Sequence, residues 1–230
     1  FCDWSSDVCS SDLLAQREAI IDQCMQLEMF TEIRPTQHTY DYAIIFGGII
    51  QKVRERIAYL AQLWDEGVRW NNLIILTGQR MLDPIIESAA TWHDSNNGFL
   101  AIKPTWKLSN SPTTETDMIY MILEQSILPA AWTSIATIII DTPMQLKESG
   151  LTRPNTADTI YYWLNTNPLP GSVIAVSAQP MIGYQDAVLK RIIPPSFSIE
   201  TVGPAVAPNK TEPEILIGTI GPVLDRKSVV

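Results

Sequence analysis

Residues 42–48 read YAIIFGG, an apolar and β-branched run that leads directly into two glycines. A nearly continuous apolar run of this length is typical of a strand that is buried on both faces of a parallel sheet. The following residues, 51–67, carry apolar side chains at i, i+4, i+7, i+8 and i+11, which is one face of a helix, and Gly67 suits the C-terminal cap. This stretch therefore predicts a strand, a tight glycine turn and a helix.

Further apolar, β-branched runs continue this rhythm, at residues 73–77, 135–140, 172–176 and 197–202. Helical patterns lie before and between the runs, at residues 16–30, 51–67, 114–126, 155–164 and 181–192. Strands that alternate with helices form βαβ units, which make the strands parallel and cover the sheet. We therefore predict an α/β fold, a Rossmann-like open parallel sheet with helices on both faces, as one domain over residues 14–225. A short apolar run at 215–218 is a candidate edge strand.

Composition excludes several classes of protein. Hydrophobic residues make up 46% of the chain and charged residues 18%, which suits a globular domain and not a disordered one. Sixteen basic residues against twenty-five acidic ones give a net charge of -9, and the basic residues are scattered, so we expect no nucleic-acid partner. No apolar run approaches the roughly 18 residues that span a bilayer. Three cysteines and two histidines predict neither a disulfide framework nor a metal site.

The two ends of the chain differ from the rest. Residues 1–13 read FCDWSSDVCSSDL, with a near-repeat of Ser-Ser-Asp and no periodicity. They resemble a translated sequencing adapter, and residues 226–230 resemble the same kind of read-through. We interpret both as non-native tails that pack on nothing; the alternative is a genuine disordered tail. On this interpretation the true N-terminus is missing, so the compartment stays open, with a cytoplasmic location favoured.

Polar residues and glycines follow the predicted strands, where an open α/β sheet binds its ligands. Glycines allow backbone N–H groups to approach a ligand, and helix N-termini favour an anion. We therefore expect one pocket for a small anionic molecule, nucleotide-like or sugar-phosphate-like. No complete G-x-G-x-x-G or P-loop motif is present, so no cofactor is assigned. The candidate residues are Gly47, Gly48, Arg56, Gly78, Gln79, Glu115, Asp141 and Ser177.

Several of these candidates have a second interpretation. Arg56 either pairs with the anion through two N–H donors or lies on a solvated helix face. Glu115, Asp141 and Asp158 could share a divalent cation or act as acid and base, but Asp158 with Asn155 also fits a capping box. We favour the cap for Asp158 and the pocket for Asp141. Ser177 lacks a G-x-S-x-G elbow, so we favour hydrogen bonding over nucleophilic catalysis.

Residues 79–112 interrupt the alternation of strands and helices. A segment of this length is often a lid or a binding loop. For Trp92 and Trp106 we favour local packing over stacking on a ligand, and for His93 we favour a surface position over a role as general base.

The order of these motifs resembles the YdcF-like domain of unknown function, which includes the SanA and ElyC types. The resemblance covers roughly residues 40–205. Its motifs here are the Gly-Gly turn after the first strand, Arg56-Ile57, Leu76-Thr77-Gly78-Gln79, Glu115, Asp141, Asn155-Thr156 and Val176-Ser177. The resemblance implies a Rossmann-like fold, adds Asn155 and Thr156 to the candidate site, and implies a setting in the bacterial envelope.

The chain also departs from this family. Gln179 and Pro180 stand where the family has a histidine, the arginine that usually follows is replaced around residues 183–185, and residues 144–154 look inserted. The resemblance therefore implies a pocket more firmly than a reaction. Two functions stay open: an enzyme acting on the anion, and a non-catalytic binding or regulatory domain. An enzyme should direct a titratable group with a shifted pKa into the pocket, whereas a pure binder should present hydrogen-bond donors and apolar walls.

Overall fold

The computed structural model describes the backbone of residues 7–147 and 150–208, and side chains from residue 16 onward within those ranges. The helices, in chain order, are α1 (Asp7–Gln26), α2 (Ile50–Asp65), α3 (Ala89–Trp92), α4 (Glu115–Gln125), α5 (Thr156–Leu164) and α6 (Ile182–Ile192). The strands are β1 (Thr39–Phe46), β2 (Arg69–Gly78), β3 (Ala136–Thr142), β4 (Gln145–Lys147), β5 (Gly150–Thr152), β6 (Ser172–Val176) and β7 (Ser198–Val202). None of the helices in the described ranges is long and apolar enough to cross a membrane.

Five strands form one sheet in the order β3-β2-β1-β6-β7, and every neighbouring pair is parallel. Successive side chains of a strand point to opposite faces of the sheet, so each strand contributes side chains to two hydrophobic cores. Ala43 and Ile45 belong to the core that contains α2 and α4, whereas Ile44 and Phe46 belong to the core that contains α5 and α6. The predicted α/β fold, with a parallel Rossmann-like sheet and helices on both faces, is confirmed.

The helix boundaries agree with the sequence patterns to within one or two residues, except in α1. Gly67, at φ +100, follows the C-cap of α2 as predicted, because a glycine adopts this left-handed conformation without steric cost. Helix α1 ends at Gln26, before the expected residue 30, and the chain turns there through Glu28, which has φ 60.

The expected tails are described only in part. The backbone of residues 7–13 belongs to α1, where the sequence had indicated no periodic structure. Residues 1–6, the side chains of residues 1–15, and residues 209–230 lie outside the described part of the chain. The expectation that residues 1–13 and 226–230 pack on nothing, and the candidate strand at 215–218, therefore remain predictions.

The segment 79–112 packs against the core over much of its length. Trp92 and Trp106 contact the cluster formed with α2 and α4, which confirms local packing. Arg54 of α2, only 1% exposed, donates from its two Nη atoms to the carbonyl oxygens of Thr91 and Trp92, each at 3.0 Å. His93 is exposed, as favoured, and lies beside the Trp106 ring. The buried guanidinium thus fastens the C-terminal end of α3 to α2.

Candidate functional site

A cavity of about 410 Å³ lies where the strand order reverses, beyond the carboxyl ends of β1 and β6. Open α/β sheets bind their ligands at such a switch point. The lining residues come from the carboxyl ends of β1 and β2 and the turns after them, from the beginnings of α4 and α6, and from α5 with the residues before it. They are Phe46, Gly47, Gly48, Leu76, Gly78, Arg80, Glu115, Arg153, Pro154, Asn155, Thr156, Thr159, Met181, Tyr184 and Gln185.

The cavity brings together most of the candidate residues named from the sequence. Those that line it are Gly47, Gly48, Gly78, Glu115, Asn155 and Thr156. Those that do not are Arg56, Gln79, Asp141 and Ser177. Each of these four residues contacts other parts of the protein instead.

Arg56 lies beneath the glycine turn and is only 5% exposed. Its Nη1 donates to the carbonyl oxygen of Phe46 at 2.8 Å and also to that of Gly47. Burial lowers the pKa of the guanidinium to about 10. The sequence had offered an anion partner or a solvated helix face, and the structure shows a third arrangement. Arg56 satisfies the carbonyl oxygens that the chain exposes when it leaves β1.

Asp141 and Gln79 bond to each other at the ends of β3 and β2. The Asp141 carboxylate accepts hydrogen bonds from Gln79 Nε2 at 3.0 Å and from Thr116 Oγ1 at 2.6 Å. These bonds join two neighbouring strands to the first turn of α4. Asp141, for which we had favoured the pocket, therefore lies beside the cavity and does not line it.

Ser177 is fully buried at the end of β6. Its backbone N–H donates to the carbonyl oxygen of Val202 at 2.9 Å, and its Oγ has no hydrogen-bond partner among the described residues. Gly203 packs on the Ser177 carbonyl so closely that a Cβ there would lie 2.5 Å from it. Ser177 is thus covered by the segment that follows β7.

Glu115 stands on the cavity wall within a buried ionic network. Its Oε1 accepts from Thr77 Oγ1 at 3.0 Å and its Oε2 accepts from Arg80 Nε at 2.8 Å. Arg80 also donates from both Nη atoms to Glu87, at 2.9 Å each, and from Nη2 to the Gly48 carbonyl. The hydrogen bonds to Glu87, and then those to Glu115, raise the pKa of Arg80 against the opposing effect of burial.

The glycines at this edge are required by close packing. A Cβ on Gly47 would collide with the Glu115 carboxylate and would lie 3.0 Å from the Leu76 carbonyl oxygen. A Cβ on Gly78 would collide with Pro154 and would lie 2.9 Å from the Thr142 carbonyl oxygen. Both glycines therefore let neighbouring elements approach the strand ends.

The helices around the cavity differ at their N-termini. Helices α4 and α5 carry complete capping boxes, Thr114 with Asp117 and Asn155 with Asp158, which confirms the cap favoured for Asp158. Helices α2 and α6 have no side-chain cap and no acidic residue in the first turn. These two helices follow β1 and β6, the strands on either side of the switch point.

Nine of the lining residues were absent from the predicted site, among them Arg80, Arg153, Tyr184 and Gln185. Arg80 directly follows Gly78-Gln79, so its position after a strand was a usable signal. Arg153 belongs to the segment that looked inserted, which contains the β4–β5 hairpin, and nothing in its sequence indicated a return to the sheet edge. Tyr184 and Gln185 lie in the first turns of α6. The resemblance had indicated only that the family's arginine is replaced near these positions.

The cavity is bordered by the uncapped N-termini of α2 and α6 and by the exposed Arg153. Its remaining wall includes apolar side chains and the Glu115 carboxylate, which is paired with Arg80. This arrangement suits a small molecule that carries an anionic group. No protein-family model, curated protein or solved structure matches this chain, so its family is not assigned by comparison.

Proposed function

We propose that this protein binds a small phosphate-bearing molecule, nucleotide-like or sugar-phosphate-like, in the cavity beyond β1 and β6. One observation carries the proposal: the two helices that border the switch point have uncapped N-termini that open on the cavity. Gly48 precedes α2 and Met181 is the N-cap of α6, and both residues line the cavity wall.

The unpaired N–H groups supply the donors for the anion. In α2 the backbone N–H groups of Ile49, Ile50 and Gln51 bond to none of the described residues. In α6 the same holds for Ile182 and the two residues after it. Such groups carry the positive end of the helix dipole, which favours a phosphate.

Arg153 supplies a charge at the rim. Its side chain is exposed and forms no ion pair within the part of the chain that the structure describes. Arg80, the other arginine on the wall, is already bonded to Glu87 and Glu115. Arg153 is therefore the cation available to a ligand, and a guanidinium can hold a phosphate through two parallel hydrogen bonds.

The first test compares two exposed arginines. Arg153→Ala should weaken binding of a nucleoside monophosphate or a sugar phosphate about 10-fold by calorimetry, because a charge-assisted pair is lost. Arg191→Ala removes an exposed arginine from the last turn of α6, away from the cavity, and should leave the affinity unchanged. Equal affinities of both variants and the wild type would contradict the proposal, as would the absence of any binding to the wild type.

A second candidate function is binding without turnover. It is favoured by the state of Glu115, the one carboxylate among the described cavity-lining residues, because both of its oxygens already accept hydrogen bonds. No histidine or cysteine stands among those lining residues. A phosphate monoester that binds should then remain intact, which phosphorus NMR can follow; release of inorganic phosphate would favour an enzyme.

The same cavity supports the proposal that the chain is a divergent YdcF-like protein with a role in bacterial envelope metabolism. Gly47, Gly78, Glu115 and Asn155, which carry the resemblance, meet at one wall although they are distant in sequence. Removal of the protein from a bacterial cell would test this role: unchanged sensitivity to envelope-directed antibiotics would count against it.

A further inference from the structure

Gln185 is an unsatisfied polar side chain on the cavity wall. It belongs to α6, is 5% exposed, and its Oε1 is buried without a hydrogen-bond partner among the described residues. Its Nε2 also bonds to none of them, so the amide makes no hydrogen bond within the described part of the chain. Buried side-chain amides are normally paired, since an unpaired one loses its bonds to water and gains nothing in return.

Gln179, six residues earlier, is a buried glutamine whose amide is bonded within the fold. Gln179 is 2% exposed, and its Nε2 donates to the carbonyl oxygens of Glu28 and Thr31, at 3.0 and 2.8 Å. It does not line the cavity. Gln185 differs from it in lining the cavity, where a bound molecule can supply the partner that its amide lacks.

We propose that Gln185 is a specificity-determining residue whose amide hydrogen-bonds an uncharged hydroxyl or amide group of the ligand. The ligand class is thereby a phosphate ester of a polyol or sugar, free or within a nucleotide, and not a bare phosphate. This inference rests on the proposed function, because the anion must first be held in the same cavity.

The chemistry of the neighbouring wall supports an uncharged partner. The charge of the ligand is matched by Arg153 and by the N-termini of α2 and α6, whereas Gln185 carries no charge. Its amide offers an acceptor and two donors on one planar group, which suits the paired donor and acceptor character of a hydroxyl. Tyr184 and Met181 beside it provide apolar surface for the carbon skeleton of a sugar.

The test uses two probes of similar charge, ribose 5-phosphate and butyl phosphate, which lacks hydroxyl groups. The wild type should bind ribose 5-phosphate more tightly than butyl phosphate. Gln185→Leu should weaken ribose 5-phosphate about 10-fold and leave butyl phosphate nearly unchanged, because one hydrogen bond to a buried group is lost. The ratio of the two affinities within each variant is independent of any general loss of folded protein.

Stability provides a second readout that needs no ligand. Gln185→Leu should not lower the Tm, since a leucine needs no hydrogen bond, whereas Gln179→Leu should lower it because two hydrogen bonds to backbone carbonyl oxygens are lost. A fall in Tm for Gln185→Leu equal to that of Gln179→Leu would make Gln185 structural and overturn the inference.

The outcomes separate this inference from the proposed function. If both probes bind and Gln185→Leu leaves their affinity ratio unchanged, the specificity role is overturned while the anion site stands. If neither probe binds to the wild type, the proposed function fails and the specificity role fails with it.

Discussion

Arg56 is a buried charge that stabilises the turn after β1. Its guanidinium donates to the carbonyl oxygens of Phe46 and Gly47, and no carboxylate forms an ion pair with it within the described residues. The lowered pKa reflects this burial, which disfavours the charged form. The hydrogen bonds to the carbonyl oxygens of Phe46 and Gly47, both on the cavity wall, offset part of that cost.

Arg56→Ala should therefore destabilise the fold by about 2–3 kcal/mol, since two backbone acceptors lose their donor. Denaturant unfolding followed by circular dichroism measures this loss. Lys52, on the same helix and partly exposed, is the control: Lys52→Ala removes its pair with Glu55 and should cost about 1 kcal/mol, less than Arg56→Ala. A variant Arg56→Ala as stable as Lys52→Ala would exclude the structural role.

At the scale of the elements, β1 and β6 border the cavity at one end and are bridged by a carboxylate at the other. Their carboxyl ends open on the cavity, and their amino ends are bridged by Asp41, which accepts from the backbone N–H of Ser172 at 2.8 Å and from its Oγ at 2.9 Å. The bond from the Ser172 N–H, and then the bond from its hydroxyl, lowers the pKa of the Asp41 carboxyl. A carboxylate between two strands thus fixes the pair that borders the switch point.

The bridge predicts a defined pH dependence. Because the folded-state pKa of Asp41 is lowered from 3.8, its contribution is complete above that pH and is lost as the pH falls through the folded value. Asp41→Asn should therefore be less stable than the wild type at pH 6, and the difference should shrink below about pH 4. Urea titrations of both proteins at pH 6, 4 and 3 provide the measurement. A difference that stays constant over this range would show that the charge of Asp41 is not involved.

At the scale of the whole molecule, the segment 79–112 is connected to the cavity through one network. Arg80 lies at the beginning of the segment, bonds to Glu115 on the cavity wall, and bonds to Glu87, which is 1% exposed. Arg54 holds the segment at α3. Backbone bridges from Met81 to Thr114 and from Ile102 to Ser126 hold it as well. Of these attachments, the one at Arg80 is shared with the proposed ligand site.

Glu87→Ala should release the segment from the cavity end. Glu87→Ala removes the hydrogen bonds that both Nη atoms of Arg80 donate to Glu87 and leaves Glu115 as the carboxylate partner of Arg80, so we expect a loss of about 2–3 kcal/mol in stability. Hydrogen exchange should increase in residues 79–92 more than in the sheet, because β1, β2 and β6 retain their mutual hydrogen bonds. Asp94→Ala, an exposed change in the same segment, is the control and should leave exchange near Arg80 unaltered. A uniform increase over the entire chain would show that Glu87 supports the core and not the segment alone.

Periodicity alone determined the five strands of the parallel sheet and the helices that cover it, since a run such as residues 42–46 is stable only when both faces are covered. It also placed Gly47, Gly78 and Glu115 at one edge, because the carboxyl ends of parallel strands must meet there. Asn155 joined the candidate site only through the family resemblance. Only the tertiary structure decided which charges face the cavity. Arg56 and Asp141 are bonded to groups from other parts of the chain, and Arg153 returns to the edge from the segment that contains the β4–β5 hairpin. The Gln185 side chain has no hydrogen-bond partner among the described residues. Hydrogen-bond pairing between elements distant in the chain depends on packing geometry, which no local pattern in the sequence encodes.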